Sequence, residues 1–351
     1  MIRSKPVESL SKQMKRKAKK PIIKEKKLEG DFTYIISTGS TLLNLAISAN
    51  RIRGGGLCGG VFVEIAGPSQ SGKTALLCEI AGEIERQGGD RQFHDPEARI
   101  DKEFASLFGM NIEGKNYYRP DTVTELFKNI RAWEPFDHSK NRGIHGIFGD
   151  SLAALSTELE MDNDDGDKMG MRRPKEFSEQ LRKTCRMIKK NNYLMVCSNQ
   201  VRTNVDAGKY GKKFSASGGL AISFYASVRI NFSSPEKIYK VIKVAGKEKK
   251  KVIGIEVDLE VIKTVDDPYR KAKIYIIYGY GIDDIRGNLQ YIKDNTKNTT
   301  FTVGGVSVGQ SMEEAIAFVE NNDLVNELKE EVIDLWEYID SKFKVERKPK
   351  R

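Results

Sequence analysis

Eight consecutive residues, Gly67-Pro68-Ser69-Gln70-Ser71-Gly72-Lys73-Thr74, constrain this chain more than any other feature. They fit the pattern GxxxxGK[ST]. They close the apolar run 61–67 and open a helix-forming stretch from Lys73 to about Arg86, which Gly88-Gly89 stops. Strand, glycine-rich turn and helix in that order make a phosphate cradle. The glycines let successive N–H groups point at one anion, and the helix N-terminus adds its partial positive charge. Lys73 is placed to reach the outer phosphates of ATP, and the Thr74 hydroxyl to ligate Mg²⁺. Such a unit predicts an α/β fold in which helices pack on a mostly parallel sheet.

The rest of the chain alternates accordingly. Short buried-type strands are expected at 91–95, 144–150 and 193–199, and helices near 102–108, 122–133 and 172–190. Residues 201–219 are rich in Gly, Lys and Ser and carry no helical period. Strands resume at 226–232, 238–244, 252–263 and 272–278, the middle pair joined by the charged turn 246–251. Past Gly281 the pattern changes to strands around 299–308 and helices at 311–320 and 323–340, a small α+β domain. The expected division is a basic N-terminal arm over 1–35, an ATPase core over 36–281, the small domain over 282–340 and a basic tail over 341–351.

Composition excludes several classes. With 39% hydrophobic and 31% charged residues, 351 residues are not wholesale disordered. The long uncharged stretch Phe32 to Asn50 is broken by Ser, Thr, Gly and Asn, so no membrane span is expected. The start has basic residues but no apolar core, unlike a secretory signal. Four cysteines without CxxC spacing fit a reduced cytoplasmic protein with no zinc site. The net charge of +10 is uneven: residues 1–28 carry +9 and residues 341–351 carry +5, which leaves the body at −4. Basic arms attract polyanions, nucleic acid first among them; solubilising or docking tails are an equal alternative on charge alone.

A phosphate cradle needs partners. Asp150 ends the apolar strand 144–149, where a carboxylate that holds Mg²⁺ through water belongs. Glu97 lies just past strand 91–95, at the C-terminal edge where α/β sheets bind ligands, and is the candidate general base.

With these residues placed, the sequence from about 36 to about 335 resembles the RecA family of ATP-dependent strand-exchange recombinases. ISTGSTLLNLAI, GPSQSGKT, FHDPEARID, IFGDSLAAL, SNQVR, SGGLAISFYASVRI and VGQSMEEAIAFVENN match its segments in order. The resemblance implies catalytic roles for Glu97 and Lys73, with the γ-phosphate sensed by Gln200. It sets Asp101 and Phe104 against the adenine, and Asp150 beside the hydroxyl of Ser151 at the metal. It also implies single- and double-stranded DNA as partners and a homo-oligomeric helical filament. A second DNA loop then spans 201–219, with Arg202, Lys209, Lys212 and Lys213 against Asp206, and Tyr210 and Phe214 among glycines. Cations there track phosphates while aromatics stack on bases. Tyr210-Gly211 falls on the family's aromatic-glycine pair. The first DNA loop maps to about 162–173, where Met169, Gly170, Arg172 and Arg173 follow an acidic run that lacks calcium-loop spacing.

Departures are informative. Two family lysines that reach the neighbour's ATP are replaced by Ile262 and Thr264, with Lys263 between them. Phe224, Lys263, Asp266 and Asp267 are expected at the subunit interface. Along a regular strand Lys263 points to the opposite face unless a bulge re-aims it. Asp266 and Asp267 before Pro268 are the alternative, as ligands of a potassium ion. These differences suggest a divergent or phage-encoded member. The rival readings are a ring-forming helicase on the same core and a DNA-coating scaffold that binds ATP without turnover.

Overall fold

The computed structural model describes residues 31–113, 116–136, 143–162, 172–203, 214–216, 220–344 and 347. The expected basic arm up to residue 30 lies outside the described residues. The described residues from Asp31 to Ile282 form one unit, and those from Asp283 onward form another.

In the larger unit, β1 (Asp31–Ile36) pairs antiparallel with β2 (Leu57–Gly59) around α1 (Thr41–Ser48). Residues 31–35, assigned to the arm by sequence, are therefore strand within the core unit: Thr33-Tyr34-Ile35-Ile36 is an aromatic and β-branched run that suits a pleated surface. Every residue of α1 is buried, and Ser40 caps it by accepting the N–H of Leu43.

The chain then runs through β3 (Val61–Gly67), α2 (Lys73–Arg86), β4 (Arg91–His94), α3 (Lys102–Leu107), β5 (Tyr117–Tyr118), α4 (Val123–Ala132) and β6 (Gly146–Gly149). After β6 come α5 (Glu158–Asp162), α6 (Arg172–Asn191), β7 (Leu194–Thr203), β8 (Phe214–Ala216) and α7 (Leu220–Tyr225). The unit closes with β9 (Val228–Phe232), β10 (Glu236–Val244), β11 (Lys247–Lys263), β12 (Arg270–Ile277) and β13 (Gly281–Ile282).

One sheet collects β13-β12-β11-β9-β3-β7-β6-β4-β5, with β10 on β11 and β8 on β7. Its heart, β9-β3-β7-β6-β4-β5, is parallel throughout; the strands beyond β9 are antiparallel. Parallel strands read as unbroken apolar runs because helices cover both faces. Ile147 joins Phe62, Phe127, Phe177, Leu181 and Met195 in a buried cluster under α4 and α6. Its neighbours Gly146 and Phe148 point the other way, where a Cβ on Gly146 would meet Ile84 of α2 at 2.4 Å. Helix α2 comes so close to its surroundings that a Cβ on Gly82 would lie 1.8 Å from the carbonyl oxygen of Phe108.

The smaller unit has α8 (Asp284–Asp294), the hairpin β14 (Phe301–Val303) and β15 (Val306–Gly309), α9 (Met312–Asn321) and α10 (Val325–Lys342). Ser311 and Glu314 form a complete capping box on α9. Leu289, Phe301, Val319, Leu328 and Val332 are buried in this unit.

Candidate nucleotide site

Four adjacent strands of the parallel core end at one edge, and each delivers a side chain there. Register fixes them: His94 pairs with Gly149, Gly149 with Cys197, and Gly67 with Gln200. Glu97 follows β4, Asp150 follows β6, Gln200 lies in β7, and the phosphate loop leaves β3.

The loop turns into α2 through Gly72, whose φ of 89° is left-handed; a side chain there would also press on Ile276. The Lys73 ammonium is folded back on the loop, donating to the carbonyls of Pro68 at 2.6 Å and Gly67 at 3.1 Å. Burial lowers its pKa, the charges of Asp150 and Glu97 raise it, and Arg99 lowers it further. The Ser71 hydroxyl also donates to Pro68, at 2.9 Å, while Ser69 and Gln70 are exposed.

Asp150 is buried. One carboxylate oxygen accepts from the Thr74 hydroxyl at 2.6 Å and the other from the Ser198 hydroxyl. Burial raises its pKa, and those two hydrogen bonds oppose the rise. Thr74 and Asp150 are hard oxygen donors already in contact, a set that suits Mg²⁺, which keeps most of its waters and takes one or two protein oxygens. Among the described residues no group of three or more His, Cys, Asp or Glu gathers as a metal cage.

Glu97 is the hub of the site. Its Oε1 accepts from the Ser151 hydroxyl at 2.8 Å and from Gln200 Nε2 at 3.1 Å. Its Oε2 pairs with Arg99 Nη1 at 2.8 Å. Asp101 accepts the N–H of Phe104 at 2.7 Å and so caps α3, while the Phe104 ring tilts against Phe108 at 5.2 Å.

Arg202 lies in β7 and Phe214 in β8, and these strands pair antiparallel from Val201↔Ala216 to Thr203↔Phe214, bracketing the expected second DNA loop. Lys209, Tyr210, Gly211, Lys212 and Lys213 lie outside the described residues, as do Met169 and Gly170. Arg172 opens α6. Arg173 donates to the carbonyls of Ala153 at 2.5 Å and Leu152 at 3.3 Å, on the turn that follows Asp150.

Two structural features bear on the expected interface residues. The ladder of β11 with β9 is irregular between Val261 and Lys263, so simple alternation does not hold there. The Lys263 ammonium donates to the carbonyls of Phe224 at 3.1 Å and Ser223 at 3.4 Å in α7. The paired carboxylates expected for potassium are not equivalent. The Asp266 side chain, 5% exposed, lies between Arg51 at 4.0 Å and Arg270 at 3.5 Å, and it accepts the N–H of Asn50 at 2.8 Å. Two guanidinium groups already balance its charge; the Asp267 side chain is 77% exposed, lies 3.7 Å from Arg270 Nη2 and accepts from Asn50 Nδ2 at 2.8 Å. Phe224 is exposed.

Sequence reasoning missed Ser198 and Arg99. Ser198 carries its signal in SNQVR, two residues before Gln200. Arg99 carries its own in EAR, two residues after Glu97.

The family model described as the RecA N-terminal domain matches residues 5–283. Among curated proteins, the Protein RecA of Delftia acidovorans is 31% identical, covering 86% of this chain and 78% of its own length. That of Thioalkalivibrio sulfidiphilus is 31% identical and covers 86% of each. The Clostridioides difficile protein of the same name is 31% identical, covering 85% and 82%. With a phosphate loop, two strand-end carboxylates and a strand-borne glutamine on one sheet edge, and matches of this extent, the chain belongs to the RecA family of recombinases.

Proposed function

We propose that the chain is an ATP-dependent, single-strand DNA-binding recombinase that works as a helical filament and exchanges homologous strands. ATP is held by the phosphate loop, from Gly67 and Pro68 through Lys73, with Asp101 and Phe104 beside the base. Thr74 and Asp150 hold Mg²⁺, which supplies charge neutralisation at the phosphates. Glu97 takes the proton of the attacking water, which Ser151 and Gln200 help it to orient. Residues of the two DNA loops contact phosphates without regard to sequence, and pairing between the strands reads homology.

One observation carries this reading. Gln200 touches the proposed base while lying three residues from the end of β7, the strand that leads into the second DNA loop. A change at the γ-phosphate is thereby linked to the order of the loop, and DNA binding to hydrolysis. The test is Glu97→Gln. It should bind ATP and single strands as the wild type does, hydrolyse ATP about 10²–10⁴-fold more slowly, and form persistent open filaments under the electron microscope. Undiminished turnover would move the base elsewhere. Closed rings that unwind forked DNA would identify the helicase alternative.

A further inference from the structure

Arg99 lies two residues past Glu97 and reaches back to it. Its side chain is 69% exposed, yet its guanidinium lies 2.8 Å from Oε2 of a carboxylate only 13% exposed. Ser151 and Gln200 hold the other oxygen, Oε1. Oε2 is therefore the oxygen left to face a water, and Arg99 occupies it.

The site is also short of positive charge. Among the described residues Lys73 is its one buried ammonium, and the positions expected to send lysines across from a neighbour are Ile262 and Thr264. Lys263 is committed to helix carbonyls, and Arg51 and Arg270 to Asp266. Arg99 is near enough to Lys73 for its charge to oppose protonation there, behind the larger effect of burial. A long, exposed, permanently charged side chain at this place has two anionic partners to choose from: Glu97 without nucleotide, and the terminal phosphate with it.

We propose that Arg99 is a catalytic arginine supplied from within the chain, which guards Glu97 in the empty site and transfers to the γ-phosphate when ATP binds. This rests on the reading of the site as an ATPase. The transfer frees Oε2 for water and brings a planar donor to the oxygens on which charge is redistributed during cleavage. Water oxygen then bonds to the γ-phosphorus as the bond to the β–γ bridging oxygen breaks. Glu97 takes the water proton, and ADP and inorganic phosphate leave. Arg99 keeps its protons throughout.

The experiment measures ATP turnover of the full chain on single-stranded DNA for wild type, Arg99→Ala, Arg99→Lys and, as references, Lys73→Ala and Glu97→Gln. Arg99→Ala should lower kcat by about 10²-fold or more, the scale of a removed transition-state donor, with KM for ATP changed only a few-fold. Arg99→Lys should restore little, since an ammonium lacks the fork, and added guanidinium chloride should restore part of the Arg99→Ala rate. Equal melting temperatures would exclude a folding defect, as expected for so exposed a side chain. Turnover that requires Lys73 and Glu97 but is unchanged or faster in Arg99→Ala would overturn the proposal alone, a faster rate meaning that the arginine only restrains the base. So would a rise in KM at constant kcat. Wild-type turnover no higher than that of Lys73→Ala would remove the ATPase reading, and this proposal with it.

Discussion

Strand β3 and the β10–β11 hairpin belong to one sheet and share a taste for β-branched residues, yet they live in different solvents. Every residue of β3 is buried, Glu64 included. From Glu236 to Lys251 no residue is buried, although the two strands pair as far as Val244↔Lys247 with a single irregularity between Ile238 and Tyr239. The hairpin exposes Tyr239, Val241, Ile242 and Val244 among seven lysines, with the Lys250 ammonium 3.9 Å from the centre of the Tyr239 ring. The contrast shows where this fold tolerates change. In the centre the Glu64 carboxylate is held by Arg229 and Asn199, and removing one partner strands the other; along the hairpin water can replace any partner lost.

The sharpest way to break that contrast is at Glu64. Its carboxylate is fully buried, accepting from Arg229 Nε at 2.6 Å and Asn199 Nδ2 at 3.0 Å. Arg229→Ala leaves an uncompensated buried charge and should cost about 3–5 kcal/mol. That would appear in urea unfolding as a lower midpoint at unchanged slope. A loss under about 1 kcal/mol would mean that water reaches Glu64 and that the centre is less dry than described.

A middle-sized effect is expected at His94, which stacks on Tyr118 with neither ring nitrogen hydrogen-bonded. Burial pushes its pKa down to about 3. Between that value and the unfolded-chain value of about 6.5, the unfolded chain binds a proton that the folded chain refuses, so stability falls as pH falls. From about pH 7.5 to about pH 5 the loss should be on the order of 2 kcal/mol, and His94→Phe should remove it while keeping the ring stack. An unchanged pH slope in that variant would assign the effect to other groups.

The smallest effect belongs to the hairpin. Replacing Lys240, Lys249 and Lys251 together with serine should move unfolding stability by no more than about 0.5 kcal/mol. A larger loss would show that the hairpin is structurally coupled to the sheet that carries it.

Much of the centre was legible in the sequence. Gly67 to Thr74, the strand-end Asp150 and the post-strand Glu97 each sit in local patterns whose physics is local: turn, helix start, apolar run. What stayed hidden is pairing across the chain. Nothing in the periodicity of β7 says that it lies between β3 and β6, so the hydrogen bond from Ser198 to Asp150 could not be read. The irregularity that redirects Lys263 depends on its ladder with β9. The anchoring of Arg173 to carbonyls about twenty residues back depends on how α6 returns to the sheet. The reach of the hairpin differs for a related reason: its first strand ends at Val244 as expected, but its second starts at Lys247 rather than at 252, because a ladder with water on both sides has no apolar pattern to keep.

The pairing of Gly67 with Gln200 has a consequence for how this protein can be tuned. Side chains alternate along a strand, so sliding β7 by a single residue would turn Gln200 to the far face and present Asn199 or Val201 in its place. No intermediate setting exists between those arrangements. On the proposed reading, communication between the segment beyond β7 and the edge where Glu97 waits is therefore digital in its wiring, whatever the strength of the signal. Insertions and deletions in that segment can alter its length and chemistry freely, provided that they stop short of the strand.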